Sequence, residues 1–314
     1  MESIGTWWMW TAFAVIVTVM LAIDLMLGGG KQHRVSFREA GAWSIAWVCV
    51  ALAFAGGLWL YLDHDAGRAV ANDTTLLFLT GYVLEKSLAV DNVFVWMLIF
   101  SFFGVPAELQ RRVLLYGILG AIILRTIMIF AGSWLISQFE WILYIFGAFL
   151  IYTGIRMLMP EKENAMENNP LINFIKRHYP VTERLEGERF FVMRDGVRYA
   201  TPLFLALILV EISDVVFAVD SIPAIFAITT DPFIVLTSNI FAILGLRAMF
   251  FLLSGMADRF SLLKYGLAAI LVFIGVKMLL MHWFHMPIMM SLGVIISIMA
   301  LTILLSLRRR VAVR

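Results

Sequence analysis

The chain has 314 residues, 62% of them hydrophobic and 15% charged, with a mean hydropathy of +0.91. A soluble globular chain is nearer half apolar and a quarter charged, so these proportions exclude one and indicate a polytopic membrane protein. The net charge of +2 calls for no nucleic-acid partner, and the one cysteine (Cys49) excludes a disulfide framework, a CxxC couple and a thiolate metal cage.

A helix needs about 20 mostly apolar residues to cross a bilayer. Nine segments qualify: 7–27, 41–62, 75–102, 113–134, 138–158, 202–227, 232–255, 262–281 and 287–307. The first lacks an A-x-A cleavage site before Gly28-Gly29-Gly30 and reads as a retained helix, not a signal peptide. The predicted fold is therefore all-α, a membrane bundle of about nine transmembrane helices. Asp231-Pro232 and Pro106 mark helix starts.

The connections alternate in charge. One set carries Lys31, Arg34 and Arg38, Arg111 and Arg112, the basic 159–200 segment, Arg259 and Lys264, and the Arg308-Arg309-Arg310 tail. The other carries Asp63, Asp65, Asp73, Glu140 and Asp231, with Arg68 its only basic residue. The positive-inside rule then puts the N-terminus outside and the C-terminus in the cytoplasm, as an odd number of spans requires.

Segment 159–200 is the one sizeable polar piece. P-L-I-N-F-I-K-R-H-Y reads as a short amphipathic helix, and F-F-V-M-R-D-G-V-R-Y as a hairpin turning at Asp195-Gly196. A regulatory flap is one reading of this loop; a linker with local order is the simpler one.

The chain repeats itself. L-A-V-D-N-V (88–93) laid over F-A-V-D-S-I (217–222) aligns Asp91 with Asp220 and Glu85 with Asp214. I-L-R-T-I-M around Arg125 then matches G-L-R-A-M-F around Arg247. Tyr144 leads to G-I-R-M-L (154–158) as Tyr265 leads to G-V-K-M-L (275–279). Three helices per half means opposite threading of the halves, a 3+3 inverted repeat that places a substrate site near the midplane. The organisation is two peripheral helices over 1–72, repeat one over 73–160, a cytoplasmic loop over 161–200, repeat two over 201–283, and a last helix with a basic tail over 284–314.

A central Asp or Lys costs about 2.5–3.5 kcal/mol on insertion scales, so the acids inside these spans require a function or a partner. Five core acids (Glu85, Asp91, Glu211, Asp214, Asp220) outnumber the core cations Lys86, Arg125 and Arg247. A mobile cation would satisfy the surplus. Glu211 and Asp214 share a helix face. Asp214 and Asp220 lie about 120° apart on an ideal helix, and converge if Pro223 bends it. Asn92, Ser213 and Ser221 are supporting oxygen donors. An all-oxygen site of this kind suits Mn²⁺, Mg²⁺ or Ca²⁺ better than Zn²⁺ or Cu⁺. Arg125 and Arg247 read as structural partners of acids, Lys86 as the partner of an acid other than Glu85, and Asp24 as interfacial or on the ion path.

On G-Y-V-L-E-K-S-L-A-V-D-N-V-F (81–94), E-I-S-D-V-V-F-A-V-D-S-I-P-A-I-F-A (211–227) and T-S-N-I-F-A-I-L-G-L-R-A-M-F-F-L (237–252), the chain resembles the TerC family of integral membrane proteins, its Alx-type bacterial members above all. The resemblance runs over nearly the whole chain. It implies export of divalent metal, chiefly manganese, from the cytoplasm, with the family's membrane acids carried onto Glu85, Asp91, Glu211, Asp214 and Asp220.

The expectation is thus a secondary transporter in a bacterial inner membrane, not an enzyme, exchanging Mn²⁺ for protons and holding no cofactor. No GxxxxGK[ST] motif is present, so an ion gradient is the driver. The rivals are a Ca²⁺ or other cation exchanger in pH or metal stress, a scaffold acting through 159–200, and an intramembrane enzyme or redox relay, which the missing CxxC, HExxH and GxSxG motifs disfavour. The oligomeric state is left open.

Overall fold

A backbone in lipid must satisfy its own hydrogen bonds, so long runs of Leu, Ile, Val and Phe with few turn residues become helices. The computed structural model describes residues 3–28, 36–139, 141–159, 177, 179–194, 196–255, 262–281, 283 and 286–311. Among them are ten helices: α1 (Trp7–Gly28), α2 (Phe37–Asp65), α3 (Arg68–Phe102), α4 (Ala107–Gln138), α5 (Ile142–Met157), α6 (Pro202–Phe226), α7 (Pro232–Leu244), α8 (Leu246–Ser254), α9 (Leu263–Leu280) and α10 (Ile288–Val311). A hairpin of β1 (Phe191–Arg194) and β2 (Val197–Ala200) lies between α5 and α6.

Local chemistry sets the boundaries. Ser36 caps α2 by accepting from the Glu39 amide, and Asp231 caps α7 by accepting from the Phe233 amide at 2.8 Å, with Pro232 in the first turn. Pro106 directly precedes α4.

Each predicted segment falls on one helix except 232–255, which falls on two, α7 and α8, and the count of nine spans is not confirmed. Six helices are long and apolar enough to cross a membrane, seven if α7 and α8 form one span bent by 41°. α3 falls outside because Asp73, Glu85, Lys86 and Asp91 interrupt it, and α5 because it has only 16 residues. Exposed Leu60, Ile123, Ile127 and Trp134 give the bundle an apolar exterior suited to lipid.

The hairpin forms where expected, in the register Phe191 with Ala200 and Arg194 with Val197. Gly196 turns the chain at a φ of 78°, a left-handed conformation that glycine adopts without a Cβ clash. The amphipathic helix expected in 170–179 falls almost wholly outside the described residues.

Packing follows the repeat. α3 lies against α7 and α4 against α6, which is one relationship read from each half, and α5 packs against α9 as third helix against third helix. Gly147 meets Gly275, and Gly154 meets Ala268. Seven residues up α5 correspond to seven residues down α9, so the two helices run antiparallel. Small residues at the contact let the backbones approach.

Candidate functional site

Two short polar stretches, one per half, are brought together by α3 and α6. Between the halves lies a cavity of about 210 Å³ whose wall includes Glu85, Asp91, Asn92, Arg125, Asp220, Ser221 and Lys264. Asp91 and Asp220 occupy equivalent positions of the repeat and are both half-buried. Thr153 of α5 donates to Asp220 at 3.1 Å.

Beside the cavity, Arg125 of α4 is completely buried. It grips Asp214 with two parallel bonds, Nε to Oδ2 at 3.0 Å and Nη2 to Oδ1 at 2.7 Å. Its Nη1 donates to Glu85 Oε1, and reaches Asn239 Oδ1 at 3.3 Å and Ser221 Oγ at 3.5 Å. Asn92 donates to Asp214 at 3.2 Å. A fork-shaped cation between two carboxylates supplies the counter-charge without which either would be prohibitive in a low-dielectric interior.

The five expected acids are therefore divided. Glu85, Asp91 and Asp220 line the cavity; Asp214 is turned to Arg125; Glu211 packs against α4. Glu211 and Asp214 do share a helix face, but it faces α4. Gly120 of α4 makes room for the Glu211 carboxyl, which a Cβ at that position would overlap. The convergence of Asp214 with Asp220 does not occur, because α6 runs unbroken through Pro223 to Phe226. A proline so close to the helix end removes one hydrogen bond, that to the Val219 carbonyl, and leaves the rest intact. Among the described residues no group of three His, Cys, Asp or Glu side chains is gathered closely enough to hold a metal ion by itself.

The remaining residues are placed as follows. Ser213 donates to the Val210 carbonyl of its own helix at 2.7 Å, which takes it out of the site. Lys86 donates to the Ala242 carbonyl at 3.1 Å, three residues before the bend at Gly245, where the sequence pointed to an acid. Arg247, the repeat equivalent of Arg125, pairs with Asp24 of α1, outside the repeat. Both arginines are thus acid partners, as expected. Lys264, Thr153 and Asn239 were not anticipated. Asn239 had a signal in the polar triplet Thr237-Ser238-Asn239 within an apolar run, each residue fully buried. The hydroxyls of Thr237 and Ser238 return to their own helix, which leaves Asn239 to reach across.

Fold and site together define a helical integral membrane protein built of two interlocked halves around a carboxylate-lined cavity. The chain belongs to the TerC family: the model of the "Integral membrane protein TerC family" matches residues 70–313. It is 61% identical to "Putative membrane-bound redox modulator Alx" of Escherichia coli O6:H1, over 98% of this chain and 96% of that one. The protein of the same name from Escherichia coli K12 is 60% identical over the same shares. An "Uncharacterized membrane protein STKORF319" of Myxococcus xanthus is 49% identical over 97% of this chain and 93% of that one. No solved structure matches.

Proposed function

We propose that this chain is a secondary transporter that exports a divalent cation, Mn²⁺ in particular, across a bacterial inner membrane in exchange for protons. The observation that carries this reading is the cavity between the repeats, where Asp91, Asp220 and Glu85 stand with the oxygens of Asn92 and Ser221. Carboxylates, amide and hydroxyl are the donors of hard cations, and water completes the shell around Mn²⁺ or Mg²⁺. At about 210 Å³ the cavity has room for an ion with several waters, each about 30 Å³ in the liquid.

The alternating charge of the connections supports an outside N-terminus and a cytoplasmic C-terminus. In that orientation Met157, the last residue of α5, and Lys264, the second of α9, mark the cytoplasmic end of the cavity. An exporter loads from that side. Rocking of one half against the other, with the α5–α9 contact as the pivot, would then expose the ion to the opposite side. The Escherichia relatives carry a name that speaks of redox. The single cysteine of this chain, exposed on α2, supplies no intramolecular dithiol couple, which favours ion transport over thiol chemistry.

The test is ⁵⁴Mn²⁺ flux from proteoliposomes, wild type against Asp91→Asn and Asp220→Asn. Each variant loses one charged ligand and is expected to slow efflux about tenfold or more. Wild-type flux in both variants would remove the site assignment, and absence of flux in the wild type would remove the transport reading.

A further inference from the structure

Arg125 places a cation beside the cavity before any ion arrives. Its partners are all oxygen: both carboxylate oxygens of Asp214, one of Glu85, the hydroxyl of Ser221 and the amide oxygen of Asn239. Two carboxylates, a hydroxyl and an amide oxygen are also the donors a hard divalent ion takes. The guanidinium occupies a shell that suits a metal.

The two carboxylates differ in what lies on their other side. Asp214 is absent from the cavity wall, and Asn92 donates to it. Glu85 is 1% exposed and lines the cavity, and its second oxygen, Oε2, is buried without a hydrogen-bond partner. A buried carboxylate oxygen without a donor is costly unless something else approaches it. Glu85 is thus the group shared between the tethered cation and the cavity.

We propose that Arg125 is a built-in competitor of the transported ion: it holds Glu85 while the cavity is empty and yields it when a divalent cation binds through Asp91, Asp220 and Glu85. This inference rests on the transport reading and adds a reason for the arginine. An ion held too tightly by carboxylates would not be released. A competitor lowers the apparent affinity by the fraction of time in which Glu85 is available. The paired bonds to Asp214 keep the guanidinium anchored beside the site while Glu85 is away, ready to retake it as the ion leaves.

Equilibrium binding of ⁵⁴Mn²⁺ to the purified full-length protein tests this. The double variant Arg125→Gln/Asp214→Asn removes the competitor together with the charge that anchors it, and leaves a neutral hydrogen-bonded pair. Its Kd for Mn²⁺ is expected to fall about tenfold, while efflux from proteoliposomes slows because release becomes limiting. A Kd that is unchanged or raised overturns the proposal. Should the double variant aggregate, Arg125→Lys decides. It keeps the charge but loses the fork, so a competitor holds Glu85 more weakly and Kd falls a few-fold. A purely structural arginine gives wild-type or weaker binding in that variant. Wild-type protein that binds none of Mn²⁺, Mg²⁺ or Ca²⁺ overturns the transport reading itself, and this inference with it.

Discussion

Gly147 of α5 and Gly275 of α9 touch backbone to backbone. A Cβ on Gly275 would lie 2.6 Å from the Gly147 carbonyl oxygen and 2.7 Å from Ile151 Cγ1, closer than real Cβ atoms come. The neighbours are main chain and a β-branched side chain, neither of which yields easily. The third helices of the two repeats are therefore held together by the absence of side chains at their crossing. That crossing is where the two halves pivot in the proposed transport cycle.

Gly275→Ala should accordingly lower the stability of the purified protein by about 1–3 kcal/mol, the range for overpacking a close contact. Gly56→Ala in α2, where a Cβ would meet nothing within 4 Å, should instead be neutral or stabilising by up to about 1 kcal/mol, because alanine restricts the unfolded chain and favours helix. Thermal unfolding in one detergent compares the two. Equal effects at both positions would remove the close-approach account.

The helices were legible because they are written in residue type, as apolar runs, and recurring charges pointed to the pairing of α3 with α7 and α4 with α6. Partner choice was not. Arg125 and Arg247 occupy matching sequence contexts, yet one meets Asp214 and Glu85 and the other meets Asp24. The difference comes from α1, which lies outside the repeat and delivers an acid to one half only. The division of the acids was hidden for a similar reason. Spacing along α6 fixes which side chains share a face, while the neighbouring helix decides whether that face meets α4 or the cavity. The bend at Gly245 had only a glycine as its signal, and isolated glycines are common in continuous helices, as Gly81 in α3 illustrates.

Arg125→Leu removes the counter-charge from two buried carboxylates, Asp214 and Glu85, each about 1% exposed. Breaking a buried pair from one side typically costs about 3–5 kcal/mol, because the remaining charge has no partner. The variant should show a large loss of folded protein in fluorescence-detected size exclusion. Adding Glu85→Gln and Asp214→Asn should recover much of it, since the stranded charges are then gone. A triple variant no better folded than Arg125→Leu would place the loss in packing instead of charge.

The hairpin is docked on α4 by modest contacts. Arg112 pairs with Glu188 at 2.8 Å and lies over the Phe190 ring, which also packs edge-on against Tyr116. Both charged side chains are more than a third exposed, so the ion pair contributes little, about 0–1 kcal/mol. Arg112→Ala should leave the melting temperature of the bundle within about 2 °C of wild type and speed protease cleavage within 179–200. It should also leave ⁵⁴Mn²⁺ efflux nearly intact. If the chain acts chiefly as a scaffold through 159–200, the order reverses: the hairpin variant abolishes function and Asp91→Asn does not.

Proton exchange has a sign that can be tested separately from the site. An antiporter that expels a divalent cation draws protons inward, so an acidic external face accelerates export and an acidic internal face opposes it. In such an exchange a carboxylate of the cavity wall accepts a proton as the ion leaves, which spares a charge in a medium that penalises it. Proteoliposomes loaded with ⁵⁴Mn²⁺ should release it several-fold faster when the face the ion exits to is one pH unit more acidic than the face it enters from. A protonophore should erase that difference. Flux that follows the Mn²⁺ gradient alone, indifferent to both the pH step and the protonophore, would keep the cation pathway and remove the proton from it.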